Sequence, residues 1–265
     1  MSVMNVQEEP DDLPEKKIFN VPEDLPEKRI TRKGQWKLNV RQKIGQGGFG
    51  SVYGGKLSRA FLGRETVELA VKEQDKEHHD YEVAMLRKLS HPNIVPLLGD
   101  YIENDKGFLA VPMYESNLKE WSGECHDILL GVLSGLEYLK TQNIVHCDIK
   151  PENICVRLSS RGPEGVIIDF GVAKKNGEED RGVTKEYIVK YMTWTNKANR
   201  FVVESLDHRY DLFCLSVVAG KVAGKAGNVN SSDKELCLEL KDLLEKKILE
   251  EPFQQITNGT LSLRL

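Results

Sequence analysis

Residues 146–153 read HCDIKPEN and residues 168–171 read IDFG, so a short stretch of chain carries two carboxylates (Asp148, Asp169), a carboxamide (Asn153) and an ammonium (Lys150). That set of groups suits phosphoryl transfer. The reaction asks for little covalent chemistry from a protein; it needs a positioned acceptor hydroxyl, Mg2+ on the phosphates and positive charge where the transition state is most negative. Asp148 can orient the hydroxyl and accept its proton. Asn153 and Asp169 offer hard oxygen ligands, the type Mg2+ takes alongside phosphate oxygens and water. Lys150, two residues past Asp148, supplies a cation.

These residues resemble the eukaryotic-type serine/threonine protein kinase family, whose catalytic loop reads HRDLKxxN and whose metal motif reads DFG. The resemblance implies a bilobal α+β fold, with a small antiparallel sheet lobe carrying one helix, then a mainly helical lobe. It also asks for a glycine loop, a lysine and a helix-borne glutamate upstream, in that order. All three are present. IGQGGFGSVY places Gly45, Gly47 and Gly50 in GxGxxG spacing, which lets backbone cover nucleotide phosphates without side-chain obstruction. With 22 glycines in 265 residues, chance supplies roughly 0.15 such matches, so context carries the argument. Alternating residues around the glycines read as two strands joined by the loop, and LAVK reads as a third strand ending at Lys72. By resemblance Lys72 holds the α and β phosphates, and Val52 and Ala70 line the nucleotide site.

Downstream, YEVAMLRKLSHPNIV spaces Glu82, Met85, Leu86 and Leu89 as a helix that ends before Pro92. Glu82 is the implied ion-pair partner of Lys72. Only ten residues separate them, fewer than the family usually has, which predicts a helix shortened at its start. FLAVPMYESNL reads as the strand and hinge between the lobes. The resemblance puts Val111 at the gatekeeper position, implying an open pocket behind the adenine. Pro112 keeps the carbonyl offered to adenine, and the donor N–H comes from Tyr114. The implied ligands are ATP and Mg2+. Lys150 points to Ser or Thr of a protein substrate as acceptor, because tyrosine-specific relatives usually carry alanine there.

Leu129, Val132, Leu133, Leu136 and Leu139 form the apolar stripe of a helix over about 124–140, leading through QNIVH into residues 146–153. His146 is expected to pack under the metal motif. YDLFCLSVVAG is apolar all round, the mark of a buried helix; by resemblance Asp211 holds the catalytic-loop backbone through hydrogen bonds. LKDLLEKKILEEPFQQIT resembles the family's late helix and DPxxRxT turn, with Gln255 where arginine is usual. The APE motif that this arginine meets is absent. Aligning VTKEYIVKY with GTxxYxAPE puts Thr184 at the conserved threonine and Tyr191 at the glutamate; aligning YMTWT puts Thr195 there instead. Losing both partners of a buried ion pair can be nearly neutral, whereas losing one costs about 3–5 kcal/mol.

Two further departures stand out. Between Gly224 and Asp233 there is no room for the family's substrate-docking helix, and Cys147 replaces the arginine that receives a phosphorylated loop. Activity without loop phosphorylation is therefore expected. The same departures support an alternative, a pseudokinase or decoy/adaptor that regulates other kinases by binding without turnover.

A hydrophobic content of 40% over 265 residues allows a sizeable core, divided as 1–34 tail, 35–114 sheet lobe and 115–265 shortened helical lobe. No stretch reaches the roughly eighteen apolar residues of a membrane span, and no apolar segment follows the first methionine. An intracellular, cytoplasmic protein is expected, with a nuclear location also open and no membrane contact. The five cysteines lack CxxC spacing, so neither zinc nor disulfides are indicated. Cys147, beside Asp148, is the thiol whose oxidation would alter the loop. Residues 1–30 hold eight acidic and four basic side chains, leaving 33 of each sign beyond them, so no basic field for nucleic acid exists. The tail repeats itself, PDDLPEKKI from Pro10 and PEDLPEKRI from Pro22. Its proline, acid and lysine content reads as disordered, and its duplication as a docking motif displayed twice, Leu13 and Leu25 engaging a partner through avidity.

Overall fold

The computed structural model describes residues 17–18, 36–47, 50–59, 66–178, 187, 206–225, 230–250, 254–257 and 260–263. The alternation around the glycines becomes β2 (Trp36–Gly47) and β3 (Gly50–Arg59), preceded by β1 (Lys17–Ile18) and followed by β4 (Thr66–Asp75), β5 (Gly99–Glu103) and β6 (Lys106–Pro112). They form one antiparallel sheet in the order β1-β2-β3-β4-β6-β5. β5 and β6 are joined by Asn104 and Asp105, with φ of 48° and 59°, the left-handed pair that a tight hairpin requires and that Asn and Asp tolerate best after glycine. Lys17 and Ile18 pair with Leu38 and Lys37, so these two residues of the expected disordered tail are strand. The remaining residues of both repeat copies, Leu13 and Leu25 among them, lie outside the described residues.

LAVK does not end its strand. β4 runs on to Asp75, and α1 (Lys76–Leu86) begins at the next residue with no loop between. Asp75 makes this possible by capping the helix: its Oδ1 accepts the His78 N–H at 3.0 Å and meets His78 Nδ1 at 2.8 Å. The backbone bond from His78 holds the Asp75 carboxyl below its ordinary value. This is the physical form of the short Lys72 to Glu82 spacing.

The chain divides into two units, Met1–His79 with Leu97–Met113, and Asp80–Pro96 with Tyr114–Leu265. Most of α1 and the loop after it go with the second unit. That unit is built on α2 (His126–Thr141), whose stripe buries Leu129, Val132, Leu136 and Leu139 and half-buries Leu133. β7 (Ser116–Asn117), β9 (Ile154–Ser159) and β10 (Gly162–Ile167) form a small sheet in the order β10-β9-β7; β8 (Ile144–Val145) pairs with β11 (Lys174–Lys175). α3 (His208–Ala223) buries twelve of its sixteen residues, as its all-round apolarity predicts.

α4 (Ser231–Glu250) lays Cys237, Leu240, Leu244 and Ile248 into the core at helical spacing. It also caps α2 from a distance. The Asp233 carboxylate accepts the N–H groups of Cys125 at 3.1 Å and His126 at 2.9 Å, where α2 has no capping side chain of its own. Lys225 Nζ donates to the carbonyls of Leu118 and Lys119, each at 2.9 Å, and of Trp121 at 3.2 Å. β12 (Gln254–Thr257) pairs with β13 (Thr260–Leu263); Glu251 and Pro252, which begin the expected DPxxRxT turn, lie outside the described residues. Among the described residues no helix is long and apolar enough to cross a membrane.

Candidate active site

The loop between β8 and β9 folds its polar groups onto one another. Lys150 Nζ donates to Asp148 Oδ2 at 2.6 Å, and Asn153 Nδ2 donates to the same oxygen at 2.8 Å and to the Asp148 carbonyl at 3.0 Å. The Asp148 side chain is 10% exposed and that of Lys150 25%, so the charge-assisted bond is only partly screened. With its amide nitrogen committed to Asp148, Asn153 offers only its side-chain oxygen as the atom that could hold a cation.

Two elements hold this loop. His146 sits in the core against Phe170, ring edge to face, with centroids 4.8 Å apart. Its Nε2 lies 3.1 Å from the Ile168 carbonyl and its Nδ1 3.3 Å from the Asp148 N–H. The first contact requires a donor and the second an acceptor, which assigns the neutral Nε2–H tautomer. Burial, which pulls the His146 pKa below its ordinary value, favours the same form. Beneath the loop, Asp211 in the first turn of α3 accepts the His146 N–H at 2.7 Å and the Cys147 N–H at 2.9 Å. Burial raises Asp211 to about 7, although those two N–H groups pull it down.

The IDFG segment is stitched to the loop through its backbone. The Ile168 N–H donates to the Asn153 carbonyl at 3.0 Å, completing a ring of bonds with His146. Asp169 then turns at φ 64° and Cys147 at φ 68°, left-handed conformations that such residues adopt only when their surroundings enforce them. Glu82, 1% exposed, accepts the Phe170 N–H at 3.1 Å. Among the described residues no group of three or more His, Cys, Asp or Glu could hold a metal unaided. One carboxylate and one amide oxygen fit Mg2+ instead, which keeps its waters and phosphate oxygens and needs few protein ligands.

In the sheet unit, residues directly opposite across antiparallel strands share a face. Lys72 stands opposite Val52 on β3 and Leu109 on β6, and Ala70 opposite Gly54 and Val111. Val52, Ala70, Lys72 and Val111 therefore share one half-buried face, while Leu69, Val71 and Ala110 are buried on the other. Gly45 pairs with Val52 and Gly47 with Gly50. A Cβ on Gly50 would lie 1.8 Å from the Glu73 carbonyl, so only glycine fits where β3 begins. Pro112 ends β6 opposite Leu69. Tyr114 falls in the second unit, where burial pushes its phenol pKa up, and burial likewise pushes the Cys155 thiol up to about 12.

The protein kinase domain family matches residues 38–251 of this chain. The chain belongs to that family. It is 31% identical over 204 residues to a probable LRR receptor-like serine/threonine-protein kinase of Arabidopsis thaliana, covering 69% of this chain and 20% of that protein. A second such receptor-like kinase of the same plant is 30% identical over 226 residues, covering 76% and 20%. The plant's PR5-like receptor kinase is 38% identical over 152 residues, covering 51% and 22%. The chain spans about a fifth of the length of the curated relatives it matches.

Within this kinase domain the departures from family pattern have structural forms. Cys147, at the position of the family's arginine, is 1% exposed, and its Sγ lies 3.7 Å from the Val145 carbonyl, so peroxide reaches it only if the loop opens. Tyr187 is 3% exposed, and Lys221 of α3 donates to its hydroxyl at 3.2 Å while lying 4.7 Å from its ring centroid. It is a packed anchor. Thr184, Tyr191 and Thr195 lie outside the described residues. Sequence reasoning missed Asp233 and Lys225, which look like solvated charges in sequence, and the Ile168 backbone, which carries no side-chain signal. It also passed over Ile44, 47% exposed beside Gly54; an apolar residue next to the first glycine was the available clue.

Proposed function

We propose that this kinase domain is catalytically active and transfers the γ-phosphate of ATP to Ser or Thr of protein substrates. The observation that carries the reading is the Asp148 carboxylate, with Lys150 and Asn153 both bonded to Oδ2. Asp148 receives the acceptor hydroxyl and takes its proton, a contribution on the order of 10²–10⁴-fold. Lys150 remains close enough to place positive charge on the transferring group. Asn153 and Asp169 would hold Mg2+, which when bound would offset the phosphate charge. Lys72 engages the α and β phosphates, with Glu82 as its ion-pair partner. Gly45, Gly47 and Gly50 cover the phosphates, and Val52, Ala70, Val111, Pro112 and Tyr114 receive the adenine. Ile44 joins that apolar set.

The reading includes a cytoplasmic site of action and a tail, residues 1–34, that docks a partner through its two repeats. Loss of the APE glutamate and the loop arginine supports the rival reading of a decoy that binds nucleotide or another kinase without turnover. Transfer of labelled γ-phosphate from ATP to generic protein acceptors decides between them. Transfer that disappears in Asp148→Asn and Lys72→Met is expected; ATP binding without transfer by the native chain selects the decoy.

A further inference from the structure

Between β10 and β11 the backbone turns sharply through Asp169, which takes φ 64°, a conformation that persists in such a residue only where its surroundings over-determine it. The Ala173 N–H closes the turn on the Phe170 carbonyl at 3.2 Å, and the Gly171 N–H reaches Asp169 Oδ1 at 3.4 Å. Phe170 and Ala173 are both 0% exposed, so the polar groups of their backbone must find partners within the protein. Two consecutive residues of α1 supply them. Glu82 accepts the Phe170 N–H at 3.1 Å, and the half-buried Tyr81 donates its hydroxyl to the Ala173 carbonyl at 2.5 Å. Neighbouring side chains on a helix diverge by about 100°, and these two accordingly hold groups on opposite sides of Gly171 and Val172. All of these residues belong to the second unit, and 92 positions of chain separate Tyr81 from Ala173.

We propose that Tyr81 is a positioning residue for Asp169. With Glu82 it braces the turn at both ends, and a turn held at Phe170 and at Ala173 keeps the Asp169 backbone in its left-handed conformation, so that the carboxylate is aimed in one direction. Tyr81 acts through the backbone, by way of a single hydroxyl. Phenylalanine at this position fills nearly the same volume and donates nothing, which takes from a buried carbonyl its hydroxyl donor. The positioning role rests on the reading of Asp169 as a metal ligand given above, whereas the brace itself does not.

The test compares the full native chain with Tyr81→Phe and with a control of the same chemistry, Tyr138→Phe, whose hydroxyl accepts the Ser90 N–H at 2.9 Å elsewhere in the same unit. Hydrogen exchange of the ligand-free chain is read by mass spectrometry over residues 168–175. It is expected to quicken roughly three- to tenfold in Tyr81→Phe, the scale of one such hydrogen bond, and to keep its native rate in Tyr138→Phe. Exchange over α3 is expected to stay native in both. Binding of Mn2+ in the presence of a non-hydrolysable ATP analogue, followed by electron paramagnetic resonance, is expected to weaken by a similar factor in Tyr81→Phe, while affinity for the analogue without metal holds. Unchanged exchange over 168–175, or exchange quickened equally over α3, overturns the brace. Faster local exchange with native Mn2+ affinity overturns the positioning role. A native chain that takes up no Mn2+ with the analogue overturns instead the metal-ligand reading beneath that role, and is told apart by the exchange result, which needs no ligand.

Discussion

Asp211→Asn isolates the price of burying a carboxylate beneath the catalytic loop. Burial raises the folded pKa of Asp211 from its ordinary 3.8 to about 7, against the pull of the His146 and Cys147 N–H groups. A raised folded pKa means that the folded state binds the proton more tightly than the unfolded one. The stability this confers is complete below about pH 4 and is lost as pH rises through the folded value. The loss runs at up to about 1.4 kcal/mol per pH unit across roughly three units, or about 4 kcal/mol in all. That is a large part of the 5–15 kcal/mol, roughly, that holds a domain folded. Asparagine does not titrate, keeps one acceptor for the two N–H groups and fills the same volume. Denaturant unfolding of both chains at half-unit steps from pH 4.5 to 8 should show the native chain losing stability relative to the variant, with the difference levelling off above about pH 7. Other titrating groups cancel in this comparison. Parallel curves would refute the reasoning, because they would mean that Asp211 titrates alike in the folded and unfolded chain. The variant should also lose turnover at every pH, since one of the two N–H groups that fix the loop then faces an NH2.

Three other outcomes follow from contacts of the same kind. Asp233→Ala strands the buried N–H groups of Cys125 and His126 and should cost about 1–3 kcal/mol in unfolding free energy, with phosphoryl transfer retained at low temperature; an unchanged midpoint would show that α2 is capped by water. Gly50→Ala drives a Cβ into the Glu73 carbonyl and should raise the KM for ATP more than it lowers kcat; equal effects on both would place the damage in the fold instead. Tyr187→Phe removes the hydroxyl contact with Lys221 and keeps the ring beneath the ammonium, so activity should change less than about twofold, given roughly 0.5–1.5 kcal/mol for such a bond; a large loss traced to a missing phosphate would contradict the reading that this residue is an anchor.

The sequence alone pointed to the groups that could do chemistry and to the elements that carry them. The grouping of Asp148, Lys150 and Asn153 was legible because the family motif sets these residue types at fixed spacing, and such spacing survives in one dimension. The stripe of α2 and the all-round apolarity of α3 were legible because burial imposes the helical period on the chain. The passage of β4 into α1 was half legible: the short spacing was visible, but not that Asp75 caps the helix where the strand ends. Tertiary structure decided the groups that hold the site still. Asp211 reaches His146 across 65 residues and Asp233 reaches His126 across 107. In sequence Asp233 is one more acid among 41 acidic residues, and no local period marks it; Asp211 is singled out there only by the family resemblance. Their meaning arises only when folding brings a carboxylate to backbone N–H groups that burial would otherwise leave without an acceptor.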